Sequence, residues 1–138
     1  GVQTCALPIC ITIRESATSI GHYAFSGCSM LQSVFFHKGI TSIERYAWQN
    51  CTSLTRVDIP QGVTSIGEGG FCGCDCLTIV NIPHSVTFIG KSAFHGCSRL
   101  TRLIIPDSVT FIGEKAFGGC VSLSSESRHS IENAYSTY

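Results

Sequence analysis

Cysteine recurs at Cys28, Cys51, Cys74, Cys97 and Cys120, a step of 23 residues that never slips. Other columns keep the same step: Ile20, Ile43, Ile66, Ile89 and Ile112; the aromatics Phe25, Trp48, Phe71, Phe94 and Phe117; and Leu31, Leu54, Leu77, Leu100 and Leu123. The pairs Val34/Phe36, Val57/Ile59, Val80/Ile82 and Leu103/Ile105 move with them. A register held without insertion means that one supersecondary unit is stacked repeatedly. A unit of 23 residues carries too few apolar side chains to offset the entropy of ordering its own backbone. Stacking turns each apolar column into a continuous ladder and lets backbone hydrogen bonds run from coil to coil, so the period predicts a solenoid.

Within a unit, Leu54 to Ile59 ends on the two-residue alternation of a half-buried strand. Pro60, Pro83 and Pro106 follow directly and, lacking an N–H, belong at the strand's end. Val63-Thr64-Ser65-Ile66-Gly67 and its copies predict a second short extended piece or a tight turn. Gly21, Gly67, Gly90 and Gly113, with Glu44 as the exception, suit a left-handed or crowded position. Gly27, Gly73, Gly96 and Gly119 share a column with Asn50, the usual substitute where φ is positive, and would follow a single helical or 3₁₀ turn.

The ends depart from the pattern. Val2 and Pro8 stand where the period asks for an aromatic and a leucine, and Val2 to Ile9 resembles translated sequencing-adapter DNA. Residues 1–10 are therefore expected to be a non-native or disordered leader, with the repeat domain over 11–123. After Leu123, Glu126 and Arg128 replace apolar residues, so 124–138 reads as a polar tail or partial cap, in which Ile131, Ala134 and Tyr135 could form a short helix over the last coil.

The units Ile82-Pro83-His84-Ser85-Val86-Thr87-Phe88-Ile89-Gly90 and Ile105-Pro106-Asp107-Ser108-Val109-Thr110-Phe111-Ile112-Gly113, continuing through Ala93-Phe94 and Ala116-Phe117, resemble the BspA-like leucine-rich repeats, also called the Treponema pallidum type. The resemblance covers about residues 11 to 123. It implies an α/β-type leucine-rich-repeat solenoid: a short parallel β-strand per coil on a concave face, turns or short helical segments on the convex side. It also implies a cell-surface or secreted setting, because such repeats serve host-associated bacteria and some protists as attachment modules.

If Val57 and Ile59 are buried, the alternation sends Arg56, Asp58 and Pro60 to the concave surface. Three columns follow: Cys10, Ser33, Arg56, Ile79, Arg102; Thr12, Phe35, Asp58, Asn81, Ile104; and Arg14, His37, Pro60, Pro83, Pro106. Rungs ~4.8 Å apart make a patch ~20 Å long. The candidate interaction surface is Phe35, Arg56, Asp58, Ile79, Asn81, Arg102 and Ile104, a mixture of apolar groups and Arg that suits a protein ligand. A glycan would call for more aromatics than Phe35 alone. The competing expectation is that these apolar residues only raise strand propensity, in a structural spacer or stalk of a larger protein or an intracellular scaffold.

Other chemistry finds little support. Nine Lys/Arg balance nine Asp/Glu, which gives no electrostatic footprint for nucleic acid. No apolar run is long enough for membrane insertion, and no signal or anchor is legible. The periodic cysteines share a column with apolar neighbours and read as packed thiols, with inter-rung disulfides the alternative. Cys72, Cys76 and His95 fall in variable columns and are one ligand short of a structural zinc site, so no metal or cofactor is expected. Cys72 with His95 lacks a third group to orient a nucleophile pair, and no paired carboxylates are present, so no enzyme is expected.

Overall fold

The computed structural model describes residues 9–136; residues 1–8 of the expected leader lie outside them. Ten short strands and one helix follow in order: β1 (Ile9–Ile13), β2 (Ser19–Ile20), β3 (Leu31–Phe36), β4 (Ser42–Ile43), β5 (Arg56–Asp58), β6 (Ser65–Ile66), β7 (Ile79–Asn81), β8 (Phe88–Ile89), β9 (Arg102–Leu103), β10 (Phe111–Ile112) and α1 (Ser125–Ser136). Ile9 and Cys10, at the foot of the expected leader, lie in β1.

Every strand pair is parallel, and almost every pair joins residues 23 apart in sequence. Odd-numbered strands form one face: β1 with β3, and β5 with β7 and β9. Even-numbered strands form a second ladder of five, so Val63 to Gly67 and its copies are extended. Between the ladders lies a core of columns. Ile43, Ile66 and Ile89, Leu54, Leu77 and Leu100, and Val63 and Val86 are each at most 1% exposed. The aromatic column is a stack. Successive ring centroids from Phe25 through Trp48, Phe71 and Phe94 to Phe117 lie 4.4, 6.5, 5.4 and 5.5 Å apart, all within 7° of parallel.

Of the turns or short helical segments expected on the third side of each coil, turns are what form among the described residues, and their N–H groups alternate between their own coil and the next. Ala47, Gln49 and Cys51 N–H donate three residues back, to Glu44, Tyr46 and Trp48. Tyr46, Trp48 and Asn50 N–H donate to Glu68, Gly70 and Cys72 of the following coil at 2.8 Å. The alternation requires two left-handed residues per coil. One column is the expected Gly27, Asn50, Gly73, Gly96 and Gly119. The other, Tyr23, Tyr46, Gly69, Ser92 and Lys115, carries side chains at four of its five positions.

Gly67, Gly90 and Gly113 are required for crowding and not for handedness. A Cβ on Gly90 would sit 2.6 Å from the Glu68 nitrogen, and one on Gly113 would sit 2.3 Å from the Lys91 nitrogen.

Residues 125–136 form a helix that lies on the last rung. Ser124 caps it, its hydroxyl accepting from Ser127 N–H at 3.1 Å. Ser127 is buried; its hydroxyl accepts from Leu103 N–H at 3.0 Å and donates to Thr101 O at 3.2 Å. The Ser130 hydroxyl accepts from Ile105 N–H at 2.8 Å. The donors that another strand would have taken are met by serine side chains, and Ile131 packs into the core.

Candidate interaction surface

The face built by the odd-numbered strands holds most of the predicted surface residues where the alternation placed them. In β5 the burial runs exposed, buried, exposed across Arg56, Val57 and Asp58, because Val57 turns into the core. Arg56 aligns with Ile79 and Ile79 with Arg102; Asp58 aligns with Asn81. Asn81, Arg102 and Ile104 are exposed and Ile79 is half-buried. Phe35 is 60% exposed on β3.

Two parts of the expectation fail. The face is not one continuous ladder, since β3 pairs with β1 and β5 begins a separate sheet. The Thr55 N–H still reaches Gln32 O at 3.4 Å, but Phe35 is not in a paired rung with Asp58. The proline column also leaves the surface: Pro60 is half-buried and Pro83 and Pro106 are buried, because the chain has already turned toward the second ladder.

The polar centre is organised by Asp58. Arg56 Nε and Nη2 donate to its two oxygens at 3.1 and 3.2 Å, and Asn81 Nδ2 donates to Oδ1. The Arg56 hydrogen bonds, seconded by Asn81, hold the Asp58 carboxyl below the usual carboxylate range. Arg102, two rungs along, has no side-chain acceptor among the described residues. Beside it lies a hollow of about 240 Å³ lined by Val80, Asn81, Ile82, His84, Ile104 and Pro106. His84 was not among the predicted surface residues; it follows the strand, where alternation gives no direction.

The cysteine column lines a corner of the core. Cys51, Cys74 and Cys97 are fully buried, and all eight described cysteines are free thiols. Each thiol donates to the carbonyl of the preceding coil's aromatic: Cys51 to Phe25, Cys74 to Trp48, Cys97 to Phe71 and Cys120 to Phe94, at 3.0 to 3.2 Å. Burial pushes the Cys97 thiol up and the Cys120 thiol up to about 11. Cys72 and Cys76 are half-buried, and Cys76 Sγ accepts from Arg99 Nη1 at 3.5 Å. Among the described residues no three His, Cys, Asp or Glu side chains gather as a metal ion would require.

Two further aromatic pairs lie elsewhere, with Tyr23, Phe88 and Phe111 exposed and Tyr46 half-buried. Phe88 and Phe111 stack at 4.9 Å on the second ladder, in the column that begins Ser19, Ser42 and Ser65. Tyr23 and Tyr46 stack at 5.1 Å on the turn side, where Tyr46 Oη donates to Glu68 at 2.9 Å and Arg45 donates to the same carboxylate at 3.0 Å. Both pairs follow from the period, since the members of each stand 23 residues apart, but they lie off the strand face that the alternation singles out.

Comparison with known proteins supplies a frame for this geometry. A family model described as a BspA type leucine rich repeat region matches residues 3–124 in six copies. A leucine-rich repeat protein from Bacteroides ovatus is 31% identical with a TM-score of 0.79, over 90% of this chain and 35% of its own. A leucine rich cell surface protein from Faecalibacterium prausnitzii is 34% identical with a TM-score of 0.62, over 83% of this chain and 37% of its own. The pneumococcal vaccine antigen PcpA is 27% identical with a TM-score of 0.71, over 83% of this chain and 29% of its own. The chain thus spans little more than a third of the first of these relatives. No curated protein matches it.

Proposed function

Because the chain belongs to the BspA-type leucine-rich-repeat family, we propose that it is a non-catalytic protein-binding module, working at a cell surface through the face of the odd-numbered strands. The observation that carries this reading is the alignment of Arg56, Ile79 and Arg102 on hydrogen-bonded rungs, beside exposed Ile104. Rigid backbone fixes these groups before a partner arrives, so little ordering entropy is lost on binding. Arginine is among the residues enriched at protein interfaces, and the exposed apolar groups beside it add area that binding would bury.

The same chemistry argues against catalysis. Asp58 is kept charged by Arg56 and Asn81 and cannot sit near neutrality as a general base. The surface setting is supported by the names of two relatives, a cell surface protein and a vaccine antigen. The partner class implied is a host or neighbouring-cell protein.

The test is a panel of purified mammalian plasma and extracellular-matrix proteins probed with the protein and with a triple variant, Phe35→Ala, Arg56→Glu, Arg102→Glu. Binding to a panel member should be lost in the triple variant and kept in a Phe88→Ala, Phe111→Ala variant of the other ladder. Unchanged binding by a folded triple variant defeats the assignment of this face.

A further inference from the structure

The strand face is polarised along the array. At β5 the guanidinium of Arg56 is taken up by both oxygens of Asp58, and the Asn81 amide nitrogen is turned to the same carboxylate. That end presents a neutralised, internally bonded cluster. At β9 the guanidinium of Arg102 has no acceptor among the described residues, yet it borders a hollow of about 240 Å³ whose walls mix the apolar Ile82, Ile104 and Pro106 with the polar Asn81 and His84. Ile104 is 41% exposed at the hollow's rim. With its nitrogen committed to Asp58, Asn81 offers its carbonyl oxygen to an incoming donor.

We infer that the Arg102 hollow is a subsite for a carboxylate side chain flanked by aliphatic residues, in an extended segment of a protein partner. This rests on the protein-binding reading above and names the chemistry that the face recognises. A planar guanidinium with free donors pairs with a carboxylate by two parallel hydrogen bonds. Exposed Ile104 and half-buried Ile82 take the neighbouring side chains, and the Asn81 oxygen takes a main-chain N–H. A phosphate-bearing partner fits less well, because Arg102 is the one guanidinium or ammonium in the lining and matches one negative charge and not two. Asp58 does not compete for Arg102, since its oxygens are already occupied by Arg56 and Asn81.

Two terminally blocked hexapeptides test this, one alternating glutamate with leucine and the other alternating glutamine with leucine, each titrated into the ¹⁵N-labelled protein. The glutamate peptide should shift the amide signals of Asn81, His84, Arg102 and Ile104 and bind about ten-fold more tightly than its glutamine counterpart. R102Q should abolish that difference, while K91Q, which removes the same charge on the turn side, should retain it. Equal affinities, no binding of either peptide, a preference surviving in R102Q or lost in K91Q, or inorganic phosphate producing the same shifts would each overturn the subsite. Protein capture by R102Q in the panel assay, together with equal peptide affinities, would sink the subsite and leave the face intact. Glutamate preference without capture of any panel protein would do the reverse.

Discussion

A thiol suits the corner column because the position asks for a small apolar group that also carries a donor. The Trp48 carbonyl already accepts the Cys51 N–H of its own coil, and the Cys74 thiol of the next coil fills its second lone pair. Alanine would leave that contact unmade and a gap beside it, at a cost of about 1 kcal/mol or more. Buried thiols also make stability depend on pH. Cys97 and Cys120 resist ionisation in the folded protein, while in the unfolded chain they ionise near the ordinary thiol value of 9.0. Their contribution is complete below pH 9.0 and is lost as pH rises toward about 11, where Cys120 ionises in the folded form too. The urea midpoint should therefore fall between pH 9 and 10.5, and a Cys97→Ala, Cys120→Ala variant, weaker at pH 7.5, should show a shallower fall. Parallel slopes would mean that these thiols do not govern the decline. Trp48 is the misfit among residues: fully buried, it has an indole N–H without an acceptor among the described residues, in a column otherwise filled by phenylalanine.

At the level of elements, coils are joined by ladders that repeat one contact. Hydroxyls of Thr41, Thr64, Thr87 and Thr110 each donate to the carbonyl of the threonine one coil back, at 3.2 to 3.3 Å. The helix α1 ends the strand ladder by imitation, with serine oxygens standing where strand carbonyls would be. Replacing Ser127 with Ala leaves the buried Leu103 N–H without an acceptor, a loss of about 1–3 kcal/mol. Hydrogen exchange should show Leu103 and Ile105 losing protection ahead of Val57 and Val80, whereas uniform loss would assign the helix no special role at this edge. These elements also mark where the sequence was legible. Columns announced the strands and the core, and Asn50 announced the left-handed glycine position. The second left-handed column was hidden because Tyr23, Tyr46, Ser92 and Lys115 carry no glycine signal. The break between β3 and β5 and the hollow beside Arg102 depend on how strands end, which a period of 23 cannot describe.

For the whole molecule, each coil touches mainly its neighbours, so stability is close to a sum over coils and the interfaces between them. Phe71 joins two such interfaces, 6.5 Å from Trp48 and 5.4 Å from Phe94. Phe71→Ala should cost about 3–5 kcal/mol and broaden the unfolding transition, since it weakens coupling between the two halves. Phe25→Ala, at a half-buried end rung, should cost less and leave the transition sharp. Differential scanning calorimetry reads both, and equal losses would argue against a chain of local couplings.

The turn side adds a polarity that the strand sheets do not share. From Tyr23, Phe25 and Gly27 through Ser92, Phe94 and Gly96, its inter-coil N–H groups all point toward the following coil. Their peptide dipoles therefore add along the axis of the array, much as they do in a helix. At the far end, the N–H groups of Lys115, Phe117 and Gly119 meet no carbonyl among the described residues. That corner carries partial positive charge from backbone alone, in a chain whose side-chain charges cancel.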